Sequence, residues 1–374
     1  MGKTLSPQEF PFVGPSNLSI SPYIDAERSI NLYYEPAYQG AMPALIGTPG
    51  LSAPTITLAA GGPIRALYAD SSLLNNNVWT VANNHVYQVF NGGASATDFG
   101  AIPGALAAAP NPAHFYGGLS RPMVMMLDEA TSQFYFCNPV GPAVTSELHA
   151  NAGEFLDGFF LAIAAGASLA GTNPNQINAS AFNDGTTWPA LSFVLKEGSS
   201  DQIFGLATVN NLLWVFGSQN IEIWYNAGLP NFPLARVNGG TLNVGAIGGF
   251  AAYSMIQKTA NSVIWVGASQ RGYSQVYMAE GLRPKRISTF AIEALISTAL
   301  ASNTTGTAFV YQEQGHEFYV LILNALTTAL VYDITTGVWH ERASNSGFRN
   351  RDNHLYGPGQ QHDRDRICVP GAGP

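Results

Sequence analysis

LLWVFGSQNIEIWYNAG, residues 212 to 228, decides how this chain is read. Two apolar and aromatic runs flank a Gly-Ser-Gln-Asn turn, and an Asn-Ala-Gly turn follows. Side chains alternate along a strand, so Leu213 and Val215 share one face while Leu212, Trp214 and Phe216 share the other. Both faces are apolar, and such a strand needs a neighbour on each side.

The pattern recurs outward from this point. VWTVANNHVYQVFNGG (78–93), SVIWVGASQRGYSQVYMAEG (262–281) and FYVLILNALTTALVYDITTGVW (318–339) repeat it closely. PMVMMLDEATSQFYFCNP (122–139) is a looser copy, and the stretch from FFLAIAAG to INASAFNDGTTW (159–188) is another with a longer turn. Hairpin centres roughly 40 to 60 residues apart lie near the repeat length of bladed propellers, about 40 to 50. The expected fold is all-β, a β-propeller of six blades over residues 61–344. Residues 1–60 read as an extended N-terminal arm, because prolines at 7, 11, 15, 22, 36, 43, 49 and 54 forbid a long helix. Within it, RSINLYYEP (28–36) is strand-like and TPGL (48–51) is a turn. STFAIEALISTAL (288–300) is the one helical segment, capped by Ser288 or Thr289, with Ile292, Leu295, Ile296 and Ala299 on one face. After Arg342 the periodicity stops, and residues 345–374 read as an irregular tail.

Composition narrows the function. Charged residues make up 11% of the 374, and the net charge is −8. Only 4 of the 16 basic residues are lysines, and no Lys/Arg-rich run precedes the tail, so a footprint for gripping phosphates is missing. An acidic balance suits a protein that lets DNA slide past it. Cys137 and Cys368 form no CxxC pair, which argues against a disulfide scaffold or a Cys-rich metal site. The start, MGKTLSPQEFPFVG, lacks the apolar core of a signal peptide. FFLAIAAGASLAG (159–171) is shorter than the about 20 residues a bilayer needs and reads as buried strand. A soluble chain made in a cytosol is expected, without membrane insertion.

AFNDGTTW (181–188) approaches the Asp-box turn of sialidase-type propellers, S-x-D-x-G-x-T-W, with Ala181 and Asn183 in place of its serine and aspartate. That turn pins a hairpin and touches no substrate, so it argues for fold alone. Sialidase chemistry needs clustered arginines and a Tyr–Glu pair. Four of the 12 arginines lie in the tail. Carboxylates for a glycosidase would be Asp128 with Glu129, Glu222 and Glu317. Asp128-Glu129 reads as a turn, and Glu222, opposite in facing to Ile221 and Ile223, reads as solvent-facing. His340-Glu341-Arg342 beside Trp339 reads as an ion pair at a strand end, and Cys137 as a small buried residue. The seven histidines show no metal spacing, and VNGGTLNVGAIGGF (237–250) lacks the lysine of a phosphate loop. No catalytic, cofactor or metal site is expected.

From Ser199 to Ile296 the order of motifs is more specific than pattern. It runs through Leu212-Leu213-Trp214, Phe216-Gly217, Glu222-Ile223-Trp224-Tyr225-Asn226, Gly228, Phe232-Pro233 and Gly245. Asn261-Ser262-Val263, Trp265 and Pro284-Lys285-Arg286-Ile287-Ser288-Thr289 complete it. With RSINLYYEP and TPGL before, SAFNDGTTW within, and YQEQGHEFY and VYDITTGVWHER after, residues 28 to 342 resemble the packaged-DNA stabilisation proteins of short-tailed phages, the tail nozzle or hub. The resemblance implies a structural component of the virion tail, assembled in the host cytoplasm as a hexameric ring below the portal and adaptor. Its partners would be copies of itself, the head-to-tail adaptor, and a tail needle or tail fibres or spikes. Duplex DNA would pass through the lumen without specific binding. The resemblance departs after Arg342, where family members carry further strands, so the distal nozzle is not implied. The alternative class is a carbohydrate-binding or sialidase-like propeller, with Trp79, Trp188 and Trp339 as stacking platforms.

Overall fold

The computed structural model describes residues 28–343, except 38–41, 50–55, 60, 62–63, 70–77, 91–94, 103–112, 119–122, 129–132, 139–140, 165–172, 197, 199–200, 247–254, 270–271 and 302–305. The expected tail, 345–374, and Glu129 therefore lie outside the described residues. A two-stranded hairpin, β1 (Leu32–Glu35) and β2 (Ala44–Gly47), comes first. The first sheet holds β3 (Ile64–Ala69), β4 (Val78–Ala82), β5 (His85–Phe90) and β6 (Ser95–Ala101). The second holds β7 (Ala113–Gly118), β8 (Met123–Asp128), β9 (Gln133–Asn138), β10 (Gly141–Leu156), β11 (Phe159–Ala164), β12 (Gln176–Ala179) and β13 (Phe193–Leu195). The third holds β14 (Ile203–Val209), β15 (Leu212–Gly217), β16 (Ile221–Asn226) and β17 (Leu234–Leu242). The fourth holds β18 (Gly245–Ala246), β19 (Gln257–Lys258), β20 (Val263–Ser269), β21 (Gly272–Glu280) and β22 (Arg283–Arg286), followed by helix α1 (Phe290–Ala301). The fifth holds β23 (Gly306–Glu313), β24 (His316–Leu323), β25 (Ala329–Asp333) and β26 (Val338–Arg342).

Every pairing within these sheets is antiparallel, and order in space follows order in sequence, except that β18 and β19 both pair with β20. That is the meander of a propeller blade. The arrangement has five blades where six were expected. The difference lies in β10, a 16-residue strand. Its first part pairs with β9 and its last part with β11, so two hairpin sets that look separate in sequence share one continuous sheet. Met125, Phe134 and Phe136 of one half still pack on Ala150, Phe160 and Ala162 of the other.

Local chemistry explains the hairpins. The β14–β15 turn is Asn210-Asn211, with φ of +52° and +59°, as a two-residue turn matched to strand twist requires. Asparagine enters this region more readily than most residues. Asp157-Gly158 turns β10 into β11 in the same way, with φ of +47° and +89°.

Packing is face against face. Leu213 and Val215 of β15 join Ala152, Leu161, Ile163 and Ile177 of the second sheet, while Trp214 and Phe216 join Val263, Trp265 and Tyr277 of the fourth. The two faces expected from strand alternation thus contact two different blades. Helix α1 spans nearly the expected segment; Thr289 Oγ1 accepts from the Ile292 N–H at 3.4 Å, which makes Thr289 its N-cap. Ile292, Ile296 and Ala299 are buried, with Leu295 partly so, in one cluster with Ile264, Val276, Tyr319, Leu321 and Trp339. The helix therefore thickens the junction of the fourth and fifth sheets.

Candidate functional site

The residues singled out from sequence gather in three places, each a joint between blades or within one. The first is aromatic. Trp265 is wholly buried, and its ring lies 6.2 Å from Trp214, 5.5 Å edge-on from Phe216 and 5.6 Å stacked from Tyr277. These separations lie within the range of favourable ring pairs, centroids about 4.5 to 7 Å apart. Both tryptophans hold blades together and neither offers a face to a ligand.

The second joint is polar and buried. Glu222, expected at solvent, is fully buried. Alternation does turn it away from Ile221 and Ile223, but Gly198 meets it on that face. Its carboxylate accepts from the Gly198 N–H at 2.7 Å and the Trp224 indole N–H at 3.1 Å, and it meets Arg236 Nη1 at 3.4 Å. Trp224 itself packs edge-on against Phe232 at 6.4 Å. Tyr225 is partly exposed, and Asn226 Oδ1 accepts from the Gly228 N–H at 3.0 Å, closing the turn after β16. Gly217 has a steric reason. A Cβ there would collide with the Asp201 carboxylate and the Lys196 ammonium, a buried ion pair that Asn220 completes. No spacing in the sequence announces that network.

The third joint is the run Pro284 to Thr289. Pro284 sits opposite Ala279 in the β21–β22 pair. Arg286 pairs with Glu293 of α1 through two bonds, 2.5 and 2.6 Å, and lies 4.8 Å over the Phe290 ring. Ser288 Oγ donates to Glu293 at 2.6 Å and accepts from the Val276 N–H at 3.0 Å. The Ile287 carbonyl accepts from the Trp339 indole N–H at 2.8 Å, which crosses to the last sheet. This run therefore fixes the helix to its own sheet and that sheet to the next.

A comparable ligature escaped the sequence reading. Glu154 of β10 accepts from Lys258 of β19 at 3.0 and 2.9 Å and from the Thr208 N–H of β14 at 3.1 Å. One carboxylate joins three sheets.

Among the described residues, several side chains considered for an enzyme or a lectin are engaged in structural contacts. In AFNDGTTW, Asp184 does the turn's work one position after Asn183. Its Oδ1 accepts from the Thr186 N–H at 2.9 Å and hydroxyl at 2.6 Å, and its Oδ2 from the Thr187 hydroxyl at 2.9 Å. Trp188 lies stacked on Phe134, centroids 6.3 Å apart, and donates to the Gly185 carbonyl at 2.8 Å. Trp79 and Trp339, expected as platforms, are 4% and 1% exposed, so no sugar can stack on them. His340, Glu341 and Arg342 do not pair as a local ion cluster at the surface. All three are buried; Glu341 binds Arg28, and Arg342 donates to the Tyr311 hydroxyl and to His340 Nε2. Burial, then the charges of Arg342 and His316, pushes His340 down to about 3, so its ring is neutral. Burial pushes the Cys137 thiol up to about 12, far from a reactive thiolate. Among the described residues no group of three His, Cys, Asp or Glu side chains is placed to hold a metal. No described helix is long and apolar enough to cross a membrane.

The profile of a phage-stabilisation family, described as Bacteriophage P22 Gp10, beta-propeller, matches residues 43–353. The chain belongs to this family. A member of this phage-stabilisation family is a structural β-propeller of the phage tail, serving DNA stabilisation. No curated protein matches the sequence. Similar solved structures include a chain from "Crystal Structure of Mitotic Checkpoint Complex", at 10% identity and a TM-score of 0.41, covering 78% of this chain and 82% of that one. Another is "Crystal Structure of the N-terminal Domain of Nup159", at 8% identity and 0.40, covering 77% and 78%. Neither likeness carries an argument.

Proposed function

We propose that this member of the phage-stabilisation family forms the nozzle or hub of a short tail, a ring below portal and adaptor that retains the packaged genome and conducts it during ejection. Family membership over residues 43–353 is the observation that carries the reading. The geometry supports it: the family's motif residues serve as joints between and within blades, which suits a rigid scaffold. The ring is a homo-oligomer of six copies, built in the host cytoplasm onto the adaptor, and it presents an outer face to a needle or to fibres or spikes. Its lumen passes duplex DNA without gripping it, in keeping with a net charge of −8.

Two measurements test this. Mass photometry of the protein with portal and adaptor should show a closed ring of defined copy number, and a strictly monomeric chain in that mixture refutes it. Duplex binding by the isolated ring should be weaker than micromolar; tight, salt-dependent binding would mean that counterion release dominates and the lumen is a DNA-binding surface. A glycan array separates the lectin alternative, and specific glycan binding there would displace the nozzle reading.

A further inference from the structure

The segment before the first sheet is strapped to the outermost strand of the last one. Ile30 bridges Glu341 in parallel; the Asn31 N–H donates to the Glu341 carbonyl, and the Glu341 N–H to the Ser29 carbonyl, each at 2.8 Å. Asn31, at φ +57°, adds two bonds to the Ala343 backbone, both 2.9 Å. Arg28 grips the Glu341 carboxylate at 2.9 and 2.5 Å, and Thr328 Oγ1 donates to it at 2.7 Å. Tyr33 is buried against Phe309, Phe318 and Val320, and its hydroxyl donates to Gln314 at 2.7 Å.

The far end of the strap is held differently. Glu35, with 43% of its side chain exposed, meets His316 Nε2 at 2.6 Å, and the opposite ring nitrogen meets Asp333 Oδ2 at 2.6 Å. Carboxylates only accept, so both contacts are hydrogen bonds only while both ring nitrogens carry protons. A neutral ring has one N–H and must choose. Asp333, 1% exposed, is held by the Thr335 N–H at 2.9 Å and the Thr336 hydroxyl at 2.7 Å, and it cannot turn to water. The remaining proton therefore stays on Nδ1, and Glu35 is left against a lone pair. Glu35, half-exposed, has water as an alternative partner.

We propose that His316 is a proton-operated latch for the N-terminal strap: the imidazolium holds Glu35, and the neutral ring releases it. The other charged or titratable groups around the ring leave it free to act. From the arm come Tyr33 and Glu35; from β23, Glu313 and Tyr311; from β25, Asp333; from β26, His340 and Arg342. His340 is already neutral, and the Arg342 guanidinium lies 4.8 Å over the Phe318 ring. Burial lowers the His316 pKa, but the hydrogen bonds of Glu35 and Asp333, then their charges, outweigh it and the net shift is upward. With the folded value above the unfolded one, the latch's stabilisation is fully present below the unfolded pKa and is lost as pH rises through the folded one.

Hydrogen exchange by mass spectrometry on the full chain, corrected for intrinsic rates, tests the latch between pH 5.5 and pH 9. Protection of residues 32–35 should fall with rising pH, by the ratio of His316 acid constants with the strap docked and undocked, while β24 stays protected. Glu35→Gln keeps the size of the side chain but lets its amide donate to the unprotonated Nε2. Its strap should stay protected across the range. A flat wild-type profile, or a Glu35→Gln profile as steep as wild type, overturns the proposal. The latch does not depend on the tail role and stands or falls separately from it.

Discussion

Trp265 and Trp339 are 0% and 1% exposed, and each sits at a joint between sheets, yet the structure gives them different sensitivities. The indole N–H of Trp339 donates to the Ile287 carbonyl at 2.8 Å. That of Trp265 has no hydrogen-bond partner among the described residues. Phenylalanine removes a similar volume at both sites, but at 339 it also strands a carbonyl that is cut off from water. Leaving a buried acceptor unpaired costs about 1–3 kcal/mol. Trp339→Phe should therefore be more destabilising than Trp265→Phe by about that amount. Truncation to alanine should cost about 3–5 kcal/mol at either site, because the packing loss then dominates. Urea unfolding followed by circular dichroism reads the difference as a shift in midpoint at constant slope. Equal losses in the two phenylalanine variants, or the larger loss at 265, would refute the assignment of the Trp339 bond as a tie between the fourth and fifth sheets.

Glu222→Gln should cost about 1–3 kcal/mol, because an amide must turn its NH₂ toward one of the donors at Gly198 or Trp224. Thermal unfolding checks it, and adding Trp224→Phe should not cost the sum of the two single changes. His340 is depressed from 6.5 to about 3, so below pH 6.5 the unfolded chain binds a proton that the folded one refuses, and stability falls as pH drops toward 3. Denaturant midpoints measured across that window should fall less steeply in His340→Gln than in wild type; an unchanged slope contradicts the buried neutral ring. Asp184→Ala should destabilise by about 0.5–1.5 kcal/mol through loss of the turn's bonds, as scanning calorimetry would register.

The blades themselves were legible. Strand alternation and turn chemistry are properties of neighbouring residues, and LLWVFGSQNIEIWYNAG carries both, so its strands, its turn and the need for a neighbour on each face follow from the letters. Residues 288–300 likewise name their own apolar face and narrow the cap to Ser288 or Thr289, of which the structure uses Thr289. The family was legible as well, in the order of short motifs.

What those motifs do was not legible. Glu222 has the facing that alternation dictates, yet whether that face meets water depends on Gly198, 24 positions earlier, coming to lie against it, which no pattern announces. The blade count turned on β10, since a strand long enough to pair on one side with β9 and further along with β11 leaves no break between two repeats. Glu154 finds Lys258 across 104 positions, and Glu35 finds His316 across 281. Local preference is set by backbone sterics and side-chain period, which a sequence states directly. Burial and partnership are set by which sheets close against one another around the axis, and only the tertiary structure decides that.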